Sequence, residues 1–137
     1  MKHYQLHPEW QMDLPEEFEK RKEDAHLIFW KPGMTILTTV FAYSGEGQRK
    51  TLLANLRARA EAEKLETVED QAGDLVLFGY MQPEQIQPGH QRLALHAFTT
   101  ARYGCLQTSF YLDQQSDLRE ALLIWKSVQH ITPPAEE

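Results

Sequence analysis

Six histidines and a single cysteine are the side chains of this 137-residue chain best suited to chemistry. A histidine can ligate a metal or move a proton, and a thiolate can attack carbon or bind zinc. A zinc site needs several such ligands converging on one point. Only His3 and His7 lie close in sequence, and Pro8 argues against a helix that would stack them on one face. In an extended strand they share a face but sit about 13 Å apart at about 3.3 Å per residue, too far to hold one ion. The sequence therefore predicts neither a metal site nor a cofactor. Cys105 has His96 as its nearest strand histidine. A two-residue turn at Tyr103-Gly104 would set Cys105 opposite Arg102 and His96 opposite Tyr111, which separates thiol and imidazole by about 20 Å. The Gly45-Glu46-Gly47 turn has neither the lysine-serine ending of a phosphate loop nor the third glycine of a dinucleotide fold. Acidic residues are abundant, but no spacing pairs two of them as acid-base work requires. The expectation is a protein that is not an enzyme.

Two alternating runs, Arg92 to Arg102 and Cys105 to Asp113, would carry these groups as a hairpin. Alternation assigns Leu93, Leu95, Ala97, Thr99 and Ala101 to one face with Leu106, Thr108, Phe110 and Leu112. That face reads as core. The opposite face collects Arg92, His96, Phe98, Arg102, Gln107 and Tyr111, a mixture of hydrogen-bonding groups and aromatic rings, and is the candidate partner-binding surface. Asp117 and Glu120 then have the spacing of a capping box, and Leu118, Ala121, Leu122, Trp125 and Val128 recur at helical intervals, predicting a helix over 118–130. Thr132-Pro133-Pro134 ends it, leaving 132–137 as a flexible tail.

Upstream, Tyr4, Leu6, Trp10 and Met12 alternate around Pro8 as one edge strand, and the charged stretch Asp13 to Asp24 reads as a loop anchored by Phe18. His26–Lys31 and Met34–Tyr43 form a hairpin about Pro32-Gly33. Leu52, Leu53, Leu56 and Ala60 mark a helix that ends near Leu65. Arg57 and Arg59 precede Glu61 and Glu63 at i,i+4. Its basic start, Arg49 and Lys50, is a second candidate surface for an acidic partner. Thr67–Gln71 and Asp74–Met81 form another hairpin, apolar on both faces of its second strand. A loop over 82–91 follows. Trp10, Trp30 and Trp125, with Phe29, Phe41 and Phe78, are expected near the core because large aromatic rings bury large areas.

With 42% hydrophobic and 25% charged residues, the composition is that of a globular chain, read as one domain over 1–137. A net charge of −6 leaves no electrostatic footprint for nucleic acid. One cysteine excludes an internal disulfide framework. The start Met1-Lys2-His3-Tyr4 lacks the apolar run of a secretory signal, and no segment is apolar enough for a membrane span, so the expectation is a cytoplasmic protein without integral membrane contact.

The order of elements, ending in the helix Asp117-Leu118-Arg119-Glu120-Ala121 through Ile124-Trp125-Lys126-Ser127-Val128, resembles the PsbP-like and DcrB-like superfamily. So does the opening, with Trp10, Phe18, Glu23-Asp24, Leu27-Ile28-Phe29-Trp30, Pro32-Gly33 and Thr35-Ile36. The resemblance implies an α+β fold, an antiparallel sheet of about six strands packed with two main helices. It also implies protein binding, since the superfamily includes photosystem accessory proteins, a nuclear-import factor and bacterial adaptor chaperones that load type VI secretion effectors. Two function classes follow. One is a non-enzymatic adaptor, chaperone or immunity-like module whose partner is another protein or, as a homodimer, a second copy of the chain. The other is a small-molecule binder or small enzyme using a cleft beside the 82–91 loop, with His90, His96 and Tyr111 as its polar groups.

Overall fold

The computed structural model describes residues 2–24 and 26–131, with the backbone alone at Ile86, Gln87 and His90. The tail expected over 132–137 lies outside the described residues. Apolar alternation around Pro8 builds a hairpin where one edge strand was expected: β1 (Lys2–His7) turns through Pro8-Glu9 into β2 (Trp10–Leu14). Proline sits in the turn, where no ladder donor is needed. Trp10, Met12 and Leu14 point one way and are fully buried.

The main sheet comprises β3 (Glu19–Glu23), β4 (His26–Lys31), β5 (Met34–Ala42), β6 (Glu66–Ala72), β7 (Leu75–Gln87), β8 (His90–Thr100) and β9 (Gly104–Leu112). Its order is β3-β4-β5-β9-β8-β7-β6, antiparallel throughout. It has one strand more than expected because Glu19–Glu23, read as loop, pairs with β4. All five of its residues are exposed and charged, so no apolar period marks it, and those charges suit a sheet edge. Phe18 just before it is buried, as its isolation among charges predicted. The 82–91 stretch is also strand, with β7 running to Gln87 and turning through Pro88-Gly89. Gly89 has φ +78 there. Pro83 is tolerated because β6 ends opposite Met81, which leaves that part of β7 without a partner on that side.

Helix α1 (Glu46–Ala62) follows β5, and α2 (Leu118–Lys126) follows β9. α2 is shorter than its sequence period: the chain leaves it after Lys126 and adds β10 (Gln129–His130) to β2, so the small sheet runs β1-β2-β10. The capping box does not form either. Asp117 makes no side-chain cap, and Glu120 instead accepts from Lys31 Nζ at 2.5 Å. Lys31 also reaches Glu17 at 2.8 Å. Burial alone would lower its pKa, but these two carboxylates outweigh that and raise it.

Two cores result, one on each face of the main sheet. The small sheet and α2 cover Phe29, Ile36, Leu77, Leu95 and Phe110. Helix α1 covers Phe78, Tyr80, Phe98 and Cys105 with Leu53, Leu56 and Ala60. Trp125 is 1% exposed and donates from Nε1 to Thr99 Oγ1 at 2.9 Å. Its ring lies on Gly79, where an added Cβ would meet Trp125 Cη2 at 3.0 Å. Trp125→Ala should cost about 3–5 kcal/mol, the range for truncating a large buried aromatic. Gly79→Ala should cost about 1–3 kcal/mol by overpacking. Urea denaturation checks both, and an unchanged midpoint in either variant would contradict this seat.

Candidate functional site

Strand alternation sends β8 and β9 side chains to the faces the sequence assigned, but the pairing is shifted by two residues. His96 stands opposite Ser109, Phe98 opposite Gln107, and Thr100 opposite Cys105. The connection spans Ala101 to Tyr103, closed by a bond from the Ala101 N–H to the Gly104 carbonyl at 2.8 Å. Gly104 therefore serves a different need from a turn with positive φ. It faces Ala42 of β5, and a Cβ on it would lie 2.9 Å from the Phe41 carbonyl oxygen.

Four of the six predicted partner-binding residues come together. His96 Nδ1 and Ser109 Oγ are 2.9 Å apart, and Gln107 Nε2 donates to the same hydroxyl at 3.1 Å. His96 stands edge-on to Tyr111, with ring centroids 6.0 Å apart, and tilts against Tyr80 at 5.2 Å. The Arg92 guanidinium covers the Tyr111 ring at 4.5 Å, within cation–π reach. It approaches Glu84 at 3.7 Å, beyond hydrogen-bond range. Arg92 Nε and Glu84 Oε2 are buried without a hydrogen-bond partner among the described residues. Burial holds the His96 pKa below its ordinary value, with Glu84 opposing and Arg59 reinforcing the shift.

The other two predicted residues lie elsewhere. Phe98 is 6% exposed and belongs to the core under α1. Arg102 is exposed in the β8–β9 connection, stacked 5.3 Å over Tyr103. Arg49, expected to be free for a partner, is 7% exposed. Its guanidinium donates to Thr100 Oγ1, to the Thr100 and Asp74 carbonyls, and to Glu46 Oε2. Lys50 beside it is exposed. Arg59 makes its expected pair with Glu63, whereas Arg57 reaches across to Glu69 of β6. The 82–91 stretch expected as a loop is strand, paired with β8 through a bulge between Gln85 and Gln87; a cavity of about 310 Å³ lies beside it between Leu65, Met81, Pro83, Leu93 and Leu118, without His96 or Tyr111 in its lining, and the His90 side chain lies outside the described residues.

The residues that sequence reasoning missed extend this cluster across the sheet. Trp30, Thr35, Tyr111, Ala94 and Gln82 form one cross-strand row on the α1 side, and Ile28, Leu37, Ser109, His96 and Tyr80 the next. Helix α1 covers the β7–β8 end of these rows and no residue of β4. Ile28, Trp30, Leu37 and Phe41 belong to neither core; the first three are half-buried and Phe41 is 43% exposed. Phe41 thus departs from its expected place near the core and Trp30 is half-buried outside both cores, while Trp10, Trp125, Phe29 and Phe78 are buried as predicted. The signal was available: Leu27 and Phe29 alternate with Ile28 and Trp30, so one pair had to leave the core. At the α1 border, a cleft of about 360 Å³ opens between Phe41, Leu52, Asn55 and Phe98.

Cys105 is fully buried, and burial pushes its thiol up to about 12. No three histidine, cysteine, aspartate or glutamate side chains converge among the described residues. No helix among them is long and apolar enough to cross a membrane.

No protein-family model matches the chain, and no curated protein matches it. Its backbone is similar to a crystal structure from Bacteroides thetaiotaomicron VPI-5482, with a TM-score of 0.77 at 13% identity over 99% of this chain. The chain spans about half the length of that protein, covering 50% of it. At this identity the likeness speaks to the α+β, antiparallel fold.

Two measurements check the chemistry of the site. The His96 ring should titrate below pH 6.5 by nuclear magnetic resonance. Because the folded pKa is depressed, its contribution to stability is complete above pH 6.5 and is lost as pH falls through the folded value. His96→Gln should flatten that acid loss, and a ring pKa above 6.5 would reverse the sign. Native Cys105 should resist a thiol reagent and react fully on unfolding; rapid native labelling would contradict its burial.

Proposed function

We propose that this protein is a non-enzymatic protein-binding module that receives an apolar, aromatic-bearing segment of a partner on the uncovered part of its main sheet, beside α1. The observation that carries this reading is the placement of Ile28, Trp30, Leu37 and Phe41 on one sheet face outside both cores. Partner surfaces combine such apolar anchors with polar groups that fix orientation, and here Gln107, His96, Tyr111 and Thr35 lie in or beside the same rows. Trp30 and Tyr111 have the residue types that dominate binding hot spots. The cleft between Phe41 and Leu52 suits one inserted apolar side chain.

The finer reading assigns the chain to the PsbP-like and DcrB-like superfamily and, within it, to the cytoplasmic adaptors and chaperones that escort secretion effectors, or to immunity-like partners. Support comes from the resemblance of the Trp10 to Ile36 opening and the Asp117 to Val128 helix, together with an antiparallel sheet carrying helices on both faces.

The test is affinity capture from the native host with mass spectrometry, comparing wild type with Trp30→Ala/Tyr111→Ala and with Arg102→Ala. The double variant should lose at least about 2 kcal/mol of affinity, the hot-spot scale, with a nearly unchanged melting temperature. Arg102→Ala, remote from these rows, should capture normally. Full capture by the double variant would exclude this face.

A further inference from the structure

A second concave site lies on the other side of the main sheet, at the end where four chain segments meet. The β1–β2 turn, the end of β5, the β6–β7 turn and the β8–β9 connection enclose a cavity of about 530 Å³, within the range of small-molecule sites. Its floor is apolar. Trp10 is 1% exposed, and Val40, Leu75 and Ala101 pack beside it. Tyr103, 58% exposed, stands at the mouth, and His130 lies against the Trp10 ring at 4.6 Å.

Three of the rim segments are pinned in place. Glu9 is held by its N–H donating to His7 Nδ1 at 3.2 Å and by its carbonyl accepting from the Ile131 N–H at 2.7 Å. The Asp74 carbonyl accepts from buried Arg49 at 2.5 Å. The Tyr43 hydroxyl, whose pKa burial pushes up to about 12, stays a donor and bonds the carbonyls of Ala101 and Gly104 on either side of Arg102 and Tyr103. The cavity is therefore formed before any ligand arrives, which lowers the ordering cost of binding.

Charge selects among ligands. Glu9 and Asp74 contribute two carboxylates to the lining. Among the described residues Asp74 makes no ion pair, and Glu9 has only His130 at 4.0 Å. Arg102 is the single permanent cation of the lining; it is exposed and turned over Tyr103. The chain's net charge of −6 adds a field that attracts cations. Aromatic faces beside carboxylates suit an ammonium group carried on an apolar body. From this arrangement we infer that the cavity binds a small organic ammonium with an aromatic or aliphatic body, independently of the partner surface on the opposite face.

Calorimetric titration of the whole chain with phenethylammonium and with 3-phenylpropionate, which carries the opposite charge on a like body, tests this. The ammonium should bind saturably at one site, with the carboxylate at least tenfold weaker. Glu9→Gln/Asp74→Asn should lower ammonium affinity at least tenfold; Asp74 is exposed and Glu9 is half-buried in a turn, so the fold should survive, as circular dichroism would show. If that variant does not fold, the wild-type contrast between the two probes decides. Absence of saturable ammonium binding, a contrast under tenfold, or a folded double variant with undiminished affinity would overturn the assignment.

Discussion

The ladder between β5 and β9 is the constraint on which the rest of the architecture rests. It joins the β3–β4–β5 meander to the β6–β7–β8–β9 meander through nine paired residues, Met34 with Leu112 through Ala42 with Gly104. Because β9 takes the place beside β5, β6 is sent to the far edge, four strands away. Four antiparallel steps leave β5 and β6 pointing the same way. The chain between them must return along the sheet while stepping sideways, which is the task of a crossover helix. That helix lies over β7, β8 and the start of β9, as Phe78, Phe98 and Cys105 show, and ends tied to β6 through Arg57 and Glu69. The α1-side face of β4 and β5 is left outside it as a consequence of strand order. The open face is thus built into the topology. Glycine at position 104 belongs to the same constraint, since any side chain there would press on the Phe41 carbonyl and open the ladder at its end.

Arg49 fixes the start of that crossover. A guanidinium removed from water is costly unless its donors are met, and here Thr100, Asp74 and Glu46 meet them. Two of the acceptors are backbone carbonyls, one at the end of β8 and one in the β6–β7 turn. One side chain therefore aligns the α1 start with the end of β8 and with the β6–β7 turn. Removing only the arginine would leave those carbonyls unsatisfied beside a void. The cation that resembled a free binding group in the sequence is a clamp, and the clamp sets the position of Asp74 at the mouth of the cavity.

Period-two alternation made the strand faces legible for β4, β5, β7, β8 and β9, and the helical period made α1 legible. Alternation constrains which face a side chain takes and says nothing about a shift of two residues, which preserves every face. The β8–β9 pairing could therefore slip from Tyr111 to Ser109 opposite His96 without disturbing the pattern. The strands without apolar residues carried no period at all, as in the fully charged β3, and the two residues of β10 are too few to show one. At the candidate site, Arg92, His96, Gln107 and Tyr111 were recognisable because polar groups alternated with an evident core. Ile28, Leu37, Trp30 and Phe41 were hidden by their own hydrophobicity, which reads as core until the sheet places them outside both cores of the described residues.

The two ends of the main sheet behave differently from its open face. β3 presents five exposed charges, and six of the seven residues of β6 are exposed, with Glu66, Glu69 and Asp70 among them. An incoming strand would have to lie along these charged edges, a device that discourages pairing between copies. The open face has a different character inward of its β3 edge: on β4 and β5 it carries Ile28, Trp30, Leu37 and Phe41 with the polar His26, Thr35 and Thr39, while Glu19 and Arg21 of β3 pair with Trp30 and Ile28, Arg21 standing over the Trp30 ring at 5.6 Å. Charge along the edges with apolar side chains inward of it favours face-on docking over edge pairing. On the proposed reading, a partner docked in that geometry would draw its affinity from side-chain burial over Trp30, Leu37 and Tyr111, while the backbone ladder of the sheet stays as it is.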